Sequence, residues 1–123
     1  MWFLVAAAPL PAAAAEEGES RVFDLKIENR VLAAGNKVIR VTEGDRVELR
    51  WRTDEAVELH LHGYDVKAAV EPGATAVMGF TAHATGRFPV TSHGFRATGG
   101  KAGHAHGHGK GHKILMYLEV YPR

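Results

Sequence analysis

Val57–Tyr64 reads V-E-L-H-L-H-G-Y. Val57, Leu59 and Leu61 alternate with Glu58, His60 and His62, the period of two that marks a half-buried β-strand. Side chains two apart on a strand point to the same face, so His60 and His62 are expected to reach one point together. Two imidazoles converging from one strand can chelate a borderline cation such as copper or zinc. The plain alternative is two polar side chains on the wet face of a strand. The chain carries eight histidines in all, most of the others near its far end, and their placement gives the first reading its weight.

The same alternation recurs on both sides of this stretch. Upstream, Phe23, Leu25 and Ile27 alternate with Asp24, Lys26 and Glu28, and Val38–Val41 is a short strand. Glu43-Gly44-Asp45 turns the chain, and Val47, Leu49 and Trp51 then alternate with charged residues. Asn29–Asn36 reads as a connection, because Ala-Ala-Gly-Asn is a turn signal. Downstream, Val66–Val70 ends at Glu71-Pro72-Gly73, a pair suited to a tight turn. Ala76, Met78 and Phe80 alternate next, Gly86–Ser92 carries Phe88 and Val90, and Ile114, Met116, Leu118 and Val120 alternate to the end. No stretch sustains a 3.6-residue apolar period. About seven short strands punctuated by turns predict an all-β antiparallel Greek-key β-sandwich. Trp51 and Phe80 fall in the core phase, and His83 falls in a surface turn.

Two segments depart from the pattern. Met1–Ala15 is apolar, built of small residues, and ends in Ala-x-Ala at Ala13 and Ala15. It reads as a secretory signal peptide cut before Glu16 or Glu17, with a basic start expected upstream of Met1; at this length it does not span a bilayer as a helix. The domain is then residues 16–123, periplasmic or secreted. Phe95–Lys113 is rich in Gly and His and contains His104-x-His106-x-His108. It offers little to a core and reads as a long loop before the last strand, able to capture metal ions without a preformed site.

Bulk composition removes several function classes. Fifteen Lys and Arg stand against fourteen Asp and Glu, with the signs mixed along the chain, so no basic face for nucleic acid is expected. There is no cysteine, which excludes disulfides, iron–sulfur clusters, thiolate zinc sites and a blue-copper centre.

The chain resembles the cupredoxin family from about Phe23 to Pro122. The resemblance is carried by V-x-E-G-D-R-V-E-L-R-W (Val41–Trp51), the His-bearing strand, E-P-G-A-T-A (Glu71–Ala76), T-G-R-F-P-V-T-S-H-G (Thr85–Gly94) and L-E-V-Y-P (Leu118–Pro122). It implies a copper site with one His from the middle strand, matched by His60 or His62, and a second His among His93, His104, His106, His108 and His112. The family's cysteine position falls on Ser92 and its methionine position near Ile114. In a Greek-key sandwich the end of the His-bearing strand and the loop before the last strand can share one end, so the expected ligand set is His60, His62, His93 and His112, with His104, His106 and His108 as auxiliaries. Such a set favours Cu(II) over Cu(I), with zinc as the alternative ion. The function this implies is a periplasmic copper chaperone, buffer or tolerance factor that is not an enzyme and hands its ion to an envelope or membrane copper-handling protein. Two other functions remain: an interaction module of the same fold without a metal, and, ranked last, an imidazole-copper redox enzyme.

Overall fold

The computed structural model describes residues 18–33, 35, 37–96 and 113–123. Among these described residues, nine strands form two sheets: β1 (Ser20–Glu28), β2 (Val31–Leu32), β3 (Val38–Thr42), β4 (Arg46–Thr53), β5 (Ala56–Leu61), β6 (Val66–Val70), β7 (Ala76–Thr81), β8 (Gly86–Arg96) and β9 (Lys113–Tyr121). One sheet has the order β2-β1-β4-β7 and the other β3-β9-β8-β5-β6. The all-β sandwich expected from alternation is what forms, and among the described residues no helix is long and apolar enough to cross a membrane. The signal-peptide reading of residues 1–15 lies outside the described residues.

The pairing is mixed rather than wholly antiparallel. β1 runs parallel to β4, and β3 parallel to β9. The chain leaves the first sheet after β2, lays β3 in the second, and returns for β4 in the direction of β1. Alternation reports which face a residue occupies, not the direction of its neighbour, so this feature is silent in the sequence.

Leu25, Ile27, Val47, Leu49, Trp51 and Met78 come from one sheet, and Ile39, Val41, Leu59, Leu61, Val90, Met116 and Leu118 from the other. All are buried in a single core. Each such side chain contributes about 1.5–3 kcal/mol of burial. The extra strand β2 arises because Asn29 and Arg30, at φ 52° and 65°, make a two-residue turn between Glu28 and Val31. Both central residues of a type I′ turn need positive φ, which arginine rarely adopts. Its guanidinium is held in place by paired bonds to Glu55 and lies 5.3 Å from the Phe95 ring.

The hairpin from β5 to β6 closes next to the histidine-bearing strand. Leu61 pairs with Val66, so His62–Asp65 form the loop. Gly63 sits at φ +86°, and a Cβ there would lie 2.3 Å from the Phe88 ring, so only glycine fits. Tyr64 anchors the loop: its hydroxyl donates to the Ala84 carbonyl at 2.6 Å and accepts from the Ala84 N–H at 3.0 Å. Its ring packs on Phe80, His83 and Phe88. Burial raises the phenol above its ordinary value.

Tyr64→Phe is expected to cost about 1–2 kcal/mol near neutral pH, because the Ala84 amide and carbonyl lose their shared partner. A raised folded value means that the contribution of Tyr64 is whole below about pH 10 and is lost as pH rises through that value. The gap between wild type and variant should therefore shrink in urea melts run at about pH 11. A gap that is constant across this range would show that the phenol is not the group losing stability there.

Candidate functional site

His60 projects from β5 and His62 follows directly after it. The His62 backbone N–H still donates to the Pro89 carbonyl at 3.0 Å, so the sheet continues to hold it beside β8. The two imidazoles lie with ring centroids 4.0 Å apart and planes tilted by 43°. The register of β5 against β8 sets Glu58 opposite His93, Leu59 opposite Ser92 and His60 opposite Thr91. Glu58, His60, Thr91 and His93 thus share the outer face of the five-stranded sheet, and Leu59 and Ser92 turn inward.

Thr91 sits at the centre of this group and is 6% exposed. Its Oγ1 lies 2.8 Å from His62 Nε2 and 3.3 Å from His93 Nε2. His60 Nε2 lies 3.0 Å from Oδ1 of Asp65, whose own side chain is 83% exposed. One polar chain therefore runs from Asp65 through His60 and across the ring contact to His62, Thr91 and His93. Beside it lies a depression of about 460 Å³ lined by Glu58, His60, Lys67, Ala69 and His93. The far end of the same sheet face is unlike it. There Glu119 takes hydrogen bonds from Tyr121 and Arg40, which lower its carboxyl below the usual range.

The structure brings His60, His62 and His93 together. His104, His106, His108 and His112 lie outside the described residues. The described chain leaves β8 at Arg96 and re-enters at Lys113, whose partner is Ser92, the neighbour of His93. β8 runs past Ser92 to Arg96, and Phe95 packs against the core, so the strand claims the first residues of the stretch expected to be loop. His83 is exposed and rests on Tyr64. No sequence signal marks Thr91 or Asp65. A threonine two residues before a histidine in a strand shares its face, but its approach to His62 depends on cross-strand register, which sequence does not display.

Sequence comparison finds no family model and no curated protein that matches the chain. Comparison of folds does find similar structures. A chain of a heme-copper terminal oxidase dimer superposes with TM-score 0.58 and 18% identity, over 84% of this chain and 65% of its own. A blue copper oxidase from Nitrosomonas europaea gives TM-score 0.61 and 21% identity, over 85% of this chain and 39% of its own. The fold is cupredoxin-like. A Cu-containing nitrite reductase from Thermus scotoductus SA-01 agrees, with TM-score 0.54, 23% identity, and coverage of 85% and 28%. The cupredoxin-like domain spans just under two thirds of the first of these chains and well under half of the other two.

Against that fold, the interior does not suit a thiolate copper centre. Ser92 stands where the resemblance places the cysteine; it is fully buried, and its hydroxyl donates to the Lys113 carbonyl at 3.3 Å. Its neighbour across β5 is Leu59, not a histidine. Ser92 therefore faces inward with Leu59, while His60, the next outward residue of β5, lies on the opposite face of the sheet. The outer face has the better donor chemistry, because neutral imidazoles suit copper and zinc. As the side chains stand, no group of three His, Cys, Asp or Glu among the described residues is gathered closely enough to hold an ion.

Proposed function

We propose that this cupredoxin-like domain is a copper-binding protein that works outside the cytoplasm, as a chaperone, buffer or tolerance factor. It takes Cu(II) on the outer face of its five-stranded sheet through His60, His62 and His93. The observation that carries this reading is the meeting of the His62 and His93 imidazoles at one buried threonine hydroxyl, with the His60 ring against that of His62. The fold relatives support it, since the proteins they come from are named for copper. Bound copper would supply a Lewis-acidic, redox-active ion, which the domain holds and passes to an envelope or membrane copper-handling protein rather than using in turnover. Zinc is the alternative ion.

A titration with Cu(II) followed by EPR tests this. One saturable signal with nitrogen hyperfine structure is expected at about pH 7.5, and it should be lost at about pH 5, because imidazole binds metal only when neutral. The second reading, a metal-free interaction module, is favoured by the absence of a gathered three-ligand group among the described residues. It predicts weak, heterogeneous signals at both pH values.

A further inference from the structure

We propose that Asp65 and Thr91 are positioning residues that decide which ring nitrogen each histidine offers to an incoming ion. The ion rests on the copper reading above; the hydrogen-bond geometry does not. His60, His62 and His93 meet Asp65 or Thr91 through Nε2. A carboxylate accepts and cannot donate, so the contact with Asp65 puts the proton of His60 on Nε2. The lone pair of the neutral ring then lies on Nδ1.

Thr91 supplies the second constraint. A hydroxyl has one proton, so it can donate to one of the two imidazoles it meets and not to both. At least one of His62 and His93 therefore donates its own Nε2–H to Thr91, and in its neutral form that ring too carries its lone pair on Nδ1. An ion approaching through Nε2 has to displace Asp65 or break the Thr91 bridge. An ion approaching Nδ1 of His60, or of the ring that donates to Thr91, keeps that contact and gains from it: a partner on the opposite ring nitrogen fixes orientation and raises ligand basicity. Thr91 is buried, so water competes little for its bridge. Asp65 is exposed, and its hold on His60 is correspondingly weaker.

The test separates this geometry from the fold and from copper. Asp65 has φ +57°, so Asp65→Gly removes the carboxylate while suiting the backbone. Asp65→Asn keeps an accepting oxygen and tolerates the same conformation. Thr91→Val removes the hydroxyl from a β-branched shape, and Thr91→Ser restores it. Long-range ¹H–¹⁵N spectra of the metal-free ¹⁵N-labelled protein should show Nε2–H at His60 and at one or both of His62 and His93. Asp65→Gly and Thr91→Val should each weaken Cu(II) binding about tenfold, while Asp65→Asn and Thr91→Ser stay close to wild type and thermal melts confirm folding. An Nδ1–H tautomer at His60, or undiminished copper affinity in both deletion variants, overturns the proposal. If wild type takes no copper, the copper reading fails by itself, and the nitrogen spectra still decide the positioning.

Discussion

Trp51→Ala lowers the unfolding free energy by about 3–5 kcal/mol, the loss expected when a large aromatic leaves a cavity in a closed core. Trp51 is fully buried. It sits in β4 between Leu25 of β1 and Ala76 of β7, with its side chain on the inner face. A sandwich this thin has few ways to collapse around the space, because both sheets are held by their ladders. Trp51→Phe makes the informative contrast. The indole Nε1 has no hydrogen-bond partner among the described residues, so the native state already bears the desolvation of an unmade bond. Phenylalanine removes that donor and keeps most of the ring, so its cost should stay below about 1.5 kcal/mol. Urea unfolding of the three proteins, with unchanged m-values, decides the matter. Equal losses in the two variants would mean that the indole N–H is satisfied in solution and contributes a bond of its own.

Trp51 also shows what a strand pattern can and cannot convey. Its phase, shared with Val47 and Leu49, assigns it to the core, and all three are buried. The same logic places His60 and His62 on one face, where their rings meet. It fails in β9, where alternation groups Ile114 with Met116, Leu118 and Val120. A bulge between Val90 and Thr91 lets the ladder pass from Met116 to Ile114, skipping Leu115. Leu115 and Met116 are then both buried, and Ile114 emerges on the outer face, 47% exposed. One inserted residue reverses parity between its two sides, and nothing in K-I-L-M-Y announces it.

The candidate site divides along the same line. That His60, His62 and His93 belong together can be suspected from residue type and spacing, because imidazoles on strands are few and chemically distinctive. What joins them cannot. Thr91 is an ordinary β-former until the register sets it opposite His60, and Asp65 reaches back to His60 only because its positive φ curls the hairpin loop. The inward turn of Ser92 has the same origin. A motif aligns positions along a chain, but a metal needs donors on one side of a sheet, and Leu59 rather than a histidine faces Ser92.

The His60→Ala/His62→Ala double variant should weaken Cu(II) binding by about 100-fold or more, equivalent to about 2.7 kcal/mol. Two donors are lost at once, and the pair cannot be replaced from within the strand, since its other outward residue is Glu58. Folding should survive. Both side chains lie outside the core, and losses at such positions are small beside that of Trp51. The opposing measurement is a protein lacking residues 100–111, which removes His104, His106 and His108 but leaves the two sheets intact. If the outer face is the site, this deletion retains most of the affinity and the double variant does not. Retention in the double variant with loss in the deletion would place the copper on the glycine-rich segment and leave the strand histidines as a hydrogen-bonded surface. Equal partial losses in both would mean a shared site that draws donors from both segments.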